Sequence, residues 1–113
     1  MVTYTTAALV RKRLSQISAD LSTSDIEANI EMAEGIIDAV MQTSFISNFD
    51  SSKHGLIRDT ATAIAAFLCL MYNVSEFPST SQASLVADLL WAEFDRNLAI
   101  LQDKRIIKYL QSL

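Results

Sequence analysis

The sequence predicts an all-α protein, a small bundle of four helices followed by a short tail. Three observations predict it. Only two glycines and one proline occur in 113 residues, too few to punctuate a turn-rich β fold. Apolar residues recur at helical period along most of the chain. Half of the residues are apolar, so a packed core is expected rather than disorder. The length suits one domain with a modest core, with residues 1–103 as the bundle and 104–113 as the tail.

The first helix starts near Thr5 and runs to about Leu14. Thr5 suits the N-cap, and Tyr4 and Leu9 stand where a hydrophobic staple would clamp the start. Arg11, Lys12 and Arg13 fall near its C-terminus, where basic side chains complement the helix dipole.

The second helix opens on Ser24-Asp25-Ile26-Glu27, which reads as a capping box. Ile26, Ile30, Ala33, Ile37 and Val40 form its apolar stripe. Residues 24–38 hold five acidic side chains and no basic one. Four of them, Glu27, Glu31, Glu34 and Asp38, step by four, three and four, which stacks them into one ridge. Like charges at that spacing repel by a few tenths of a kcal/mol per pair, on the order of 0.3. The ridge lies about a third of a turn from the apolar stripe, so it is expected to face away from the chain's own core.

Residues 43 to 55 read as a loop of about a dozen residues, long for a compact bundle. Its Phe45, Ile46 and Phe49 either tuck under the bundle or meet a partner. The third helix runs from about Leu56 to Asn73. From Thr60 to Tyr72 no side chain is charged, and a helix apolar nearly all round is a buried one. Three other helices are too few to surround it in so small a domain, so another chain is expected to cover one face. The single cysteine, Cys69, lies in this stretch and reads as a buried small hydrophobe.

Pro78 breaks the chain before the fourth helix, about Ser81 to Gln102. Val86, Leu90, Phe94, Leu98 and Leu101 form its main stripe. Leu85, Leu89 and Ile100 form a second ridge on another side, and Trp91 flanks the first. Two apolar ridges exceed what one small core needs, which suggests a second interface. The tail mixes Lys104, Arg105 and Lys108 with Ile106, Ile107, Tyr109, Leu110 and Leu113. Chain ends are mobile unless tied down, so an apolar, basic terminus is expected to dock on something.

The chemistry of catalysis is sparse. The lone histidine, His54, sits beside Gly55, and no Cys/His pair has metal-ligand spacing. No Glu-x-x-His pattern completes a carboxylate metal site. No phosphate-binding glycine loop and no nucleophile elbow occurs. No enzymatic activity, metal or cofactor is therefore expected. A formal charge of −4 argues against general nucleic-acid affinity, which comes from Lys and Arg neutralising phosphates. The N-terminus, MVTYTTAALVRKRL, lacks a signal-peptide pattern. The longest uncharged run is shorter than the ~20 residues that span a bilayer, so no membrane role is expected.

The order of pieces resembles a known family. A Tyr4-Thr5 opening and a helix with Val10-Arg11 lead to a capped acidic helix, Asp25-Ile26-Glu27 through Ala33-Glu34 to Ile37-Asp38. Leu56-Ile57-Arg58-Asp59 then feeds an Ala-rich helix, and a long helix follows with Trp91, Phe94, Leu98 and Leu101. Over about residues 3 to 103 this resembles the head-tail connector proteins of long-tailed bacteriophages, also called head-completion or adaptor proteins. The polar Ser/Thr-rich third connection departs from that pattern. The resemblance implies a virion protein that assembles in the host cytoplasm as a ring, typically of twelve copies. The ring sits below the portal protein, extends the DNA channel and carries a stopper or tail-completion protein.

On that reading Glu27, Glu31, Glu34 and Asp38 line the channel, and the negative wall lets DNA slide without binding. Leu85, Leu89 and Trp91 meet Phe67 and Leu70 on the third helix of a neighbour. Lys104, Arg105, Ile106, Ile107, Lys108, Tyr109 and Leu110 dock on the portal. The alternative is a free-standing cytosolic helical module, a small regulator that binds a partner helix in a groove.

Overall fold

A computed structural model describes residues 2–15, 20–73 and 76–113. The fold is all-helical, with five helices and no strand among the described residues: α1 (Ala7–Arg13), α2 (Thr23–Met41), α3 (Gly55–Tyr72), α4 (Thr80–Leu101) and α5 (Lys104–Ser112). The tail is thus a fifth helix. Helices α1, α2 and α4 all pack against α3, which forms the axis of the bundle.

Two helix starts differ from the sequence expectation. The N-cap of α1 is Thr6, whose hydroxyl accepts from the Leu9 amide at 3.3 Å. Thr5 instead turns inward, and its hydroxyl meets that of Thr62 on α3 at 2.7 Å. Helix α2 starts two residues earlier than the expected capping box. Ser22 accepts from the Asp25 amide at 3.1 Å, so Ser24 and Glu27 lie inside the helix. In both cases a neighbouring hydroxyl offered the same local hydrogen bond, and tertiary packing chose between them.

Helix α3 corrects the largest expectation. Its own chain covers nearly all of it: Ile57, every residue from Thr60 to Ala66, and Leu68 to Leu70 are buried. Its well-exposed residues are Asp59 near the start and Met71 and Tyr72 at the end. The reason is side-chain size. Ala61, Ala63, Ala65 and Ala66 keep the helix slim, so three neighbours suffice to enclose it. Thr60 and Thr62 satisfy their hydroxyls by donating to the Leu56 and Arg58 carbonyls, at 2.6 and 2.7 Å, the one-turn back-bond available to threonine in a helix. By length and composition α3 could cross a bilayer, yet most of it is buried within this chain. Cys69 is buried here as well, accepts from the Asn29 side chain at 3.2 Å, and has its thiol pKa pushed up by burial.

Helix α4 is capped by Ser79, which accepts from the Gln82 amide. Ala83, Ala87, Leu90, Phe94 and Leu101 form its buried face. Residues 42 to 54 join α2 to α3 through successive turns. Within them Asn48 donates to the Phe45 carbonyl, and Lys53 and His54 donate to that of Asp50. Phe45 is fully buried and Phe49 partly so, while Ile46 points to solvent.

Candidate assembly surfaces

The acidic row of α2 does not form one surface. Glu27 and Glu31 are exposed. Glu34 is only 4% exposed. Its Oε2 accepts from the amides of Thr3 and Tyr4, both at 2.6 Å. Asp38 is half-buried and accepts from the Tyr4 hydroxyl at 2.5 Å. That hydroxyl also accepts from the Phe45 amide at 2.9 Å. The expectation that all four carboxylates face a channel is therefore corrected. Glu34 is committed to the N-terminal segment, where the buried Tyr4 amide and the partly buried Thr3 amide would otherwise lack this acceptor. Burial first, and the hydrogen bond to Asp38 second, push the Tyr4 phenol up to about 12.

The C-terminal segment is docked on its own bundle rather than free. Ile107 and Leu110 are buried and Ile106 is partly buried. Lys104 donates to the Met41 carbonyl at 3.3 Å and to Gln42 Oε1 at 2.9 Å. It thereby supplies the cation that the last turn of α2 lacks. Gln42 ends α2 in the left-handed conformation at φ 59°, a place more often taken by glycine. His54 is buried beside Phe45 and Phe49. Its Nδ1 accepts from the Asp50 amide at 3.1 Å, so the ring hydrogen lies on Nε2 and is donated to the Leu110 carbonyl at 2.9 Å. Of the residues expected to dock elsewhere, Arg105, Lys108 and Tyr109 remain exposed, as does much of Lys104. The amphipathic pattern of the tail was legible; that this chain itself supplies the docking site was not.

The residues expected at a subunit interface separate into two groups. Leu85 and Leu89 are 64% and 66% exposed and point away from the core. Trp91 lies on the other flank of α4, where its ring packs on Phe67 at 5.6 Å and Phe94 at 5.2 Å. Leu70 is buried in its own core, so it is not available to a neighbour, and Phe67 is largely taken up by the aromatic cluster. The rim of this cluster borders a cleft of about 400 Å³ between α3 and α4, with Met71, Ala83, Ala87 and Asp88 among its lining.

A further exposed face was missed in the sequence. Ala28, Met32, Gly35, Ile36 and Ala39 lie on the outside of α2. Met32 and Ile36, one turn apart, were the available signal. Among the described residues, no group of three or more metal-ligating side chains is close enough to hold an ion. Comparison with family models, with characterised proteins and with solved structures finds no match to this chain.

Proposed function

We propose that the protein is a structural subunit whose work is to assemble with other chains. The observation that carries this is the set of large apolar side chains left in water after the core is complete: Leu85 and Leu89 on α4, Met32 and Ile36 on α2, Tyr72 on α3 and Tyr109 on α5. Single exposed apolar residues are ordinary, but repeated helical rows of them mark contact surfaces.

The particular assembly proposed is the head-tail connector ring of a long-tailed bacteriophage, below the portal protein and above the stopper or tail. The resemblance in element order supports it, as does the negative flank at Glu27 and Glu31. Those two carboxylates form the lumen wall in this reading and repel the DNA backbone instead of binding it. Portal contact then falls to the outward side of α5, at Arg105, Lys108 and Tyr109, because Ile107 and Leu110 are already engaged.

The test is particle composition. Purified virions are expected to carry the chain in multiple copies at the neck. In virions with Glu27→Lys and Glu31→Lys together, DNA ejection is expected to be slowed; ejection at the normal rate removes the lumen assignment. A second reading, a free cytosolic module that takes one partner helix, is favoured by the apolar cleft between α3 and α4. It predicts that the chain stays with host cytosol and is absent from particles.

A further inference from the structure

The cleft between α3 and α4 joins two kinds of lining. Phe67, Leu70, Met71 and Ala87 are apolar, while Asp88 and Trp91 bring a carboxylate and an indole from α4. Positions 88 and 91 are three apart, so they are neighbours on one helix face. Trp91 is 53% exposed although its ring packs on Phe67 and Phe94, so part of the indole still meets water. Asp88 is exposed and has no ion-pair partner among the described residues. The volume is about 400 Å³, within the range of clefts that hold a ligand or one large side chain.

No positive charge from the cleft answers that carboxylate. From residue 59 to residue 95 the chain holds five acidic side chains and no Lys, Arg or His. Every residue that lines the cleft lies in that stretch. Leu70 and Met71 also stand in the last turn of α3, which has no basic side chain. The carbonyl end of a helix carries partial negative charge and favours a nearby cation. Apolar surface, an aromatic ring and negative potential therefore meet in one place.

We propose that this cleft takes the side chain of one arginine from a partner protein. The inference rests on the partner-helix reading of the cleft given above and names its anchor. Three features select arginine. Its aliphatic stem can lie along Leu70, Met71 and Ala87. Its guanidinium stacks on aromatic faces, and Trp91 offers one. Its planar fork gives a carboxylate two parallel N–H···O bonds, which Asp88 accepts. Lysine supplies the stem and the charge without the plane or the fork. An apolar side chain would leave Asp88 without a counter-charge. The arginine belongs to a protein because Met71 and Trp91 are both more than half exposed at the cleft. A free guanidinium ion is too small to cover them, and a partner segment is not.

Trp91 is the one tryptophan of the chain, so its emission reports on the cleft directly. The full chain is titrated with an alanine-based helical peptide carrying one central arginine. The same peptide with citrulline, lysine or norleucine at that place is titrated in parallel. Citrulline keeps the shape of arginine and removes its charge. The arginine peptide is expected to shift Trp91 emission at millimolar concentration or below. It is expected to bind at least about fivefold tighter than the citrulline peptide, with lysine between them. In Asp88→Asn, a change at an exposed position, the melting temperature is expected to hold while the arginine and citrulline peptides bind alike. Equal binding of those two peptides to the parent chain overturns the proposal, as does an undiminished gap in Asp88→Asn. Ethylguanidinium binding as tightly as the arginine peptide also overturns it, because the ligand is then a free ion. Binding of the norleucine peptide with no preference for arginine ends this anchor and leaves the partner-helix reading standing. No binding of any peptide ends both. Virions that carry the chain at the neck, with the arginine preference intact, end the cytosolic reading alone.

Discussion

The two halves of the α2 acidic row have the same spacing and opposite fates. Glu27 and Glu31, in the N-terminal half, remain in solvent. Glu34 and Asp38, in the C-terminal half, are bound by the segment Thr3–Tyr4. The helix dipole does not draw this contrast, because it favours anions only in the first turn, which of the α2 acids holds Asp25 alone. Toward the C-terminus a carboxylate needs donors from elsewhere, and the backbone amides of Thr3 and Tyr4 provide them for Glu34. A row of like charges in sequence is thus not one functional surface. Its members are divided by whichever remote segment crosses the helix.

The contrast is tested most severely at Glu34. Glu34→Ala leaves the buried Tyr4 amide and the partly buried Thr3 amide without their acceptor, and a fully buried donor left unpaired costs roughly 1–3 kcal/mol. A loss on the order of 3 kcal/mol is expected in urea denaturation, against a few tenths for Glu27→Ala. Equal effects at the two positions would dissolve the distinction between the halves. Next in size is Tyr4→Phe, which strips a donor from Asp38 and an acceptor from the Phe45 amide. A loss of about 2 kcal/mol is expected, since both groups are left short of a partner.

The same tyrosine predicts a pH response. Its phenol is raised in the folded chain from the ordinary 10.0 to about 12, so the unfolded chain releases this proton first as pH rises. The stability linked to Tyr4 is therefore present below pH 10 and is lost as pH climbs toward about 12. Chemical denaturation across that window should show a decline of at most about 2.7 kcal/mol beyond the Tyr4→Phe background; parallel curves for the two proteins would refute the assignment. The smallest effect is expected from Glu27→Lys, no more than about 0.5 kcal/mol in stability either way.

Much of the architecture was legible because it is written in local pattern. Helix periods, the buried character of Cys69 and α3, and the surplus row at Leu85 and Leu89 all follow from residue spacing and composition. Helix starts were less legible. Thr5 and Thr6, or Ser22 and Ser24, are locally equivalent caps, and only packing separates them. The lock on Glu34 and Asp38 was hidden for another reason. Its donors lie about 30 residues away in the chain, at sequence separations of 30, 31 and 34, beyond the reach of any helical period. Trp91 flanks the main stripe of α4 in sequence, and its ring packs there on Phe67 and Phe94, whereas the connector resemblance groups it with Leu85 and Leu89.

By itself the sequence determined an all-helical protein, which segments are apolar and which helix carries a row of acids, because periodicity, propensity and charge are properties of neighbours along the chain. The tertiary structure alone decided that α3 is enclosed by its own chain, that the C-terminal segment folds back under His54 and beside Gln42, and that half of an acidic row is consumed inside the fold. Those outcomes depend on which remote donors and apolar faces come within a few ångströms, and only the packed chain brings them there.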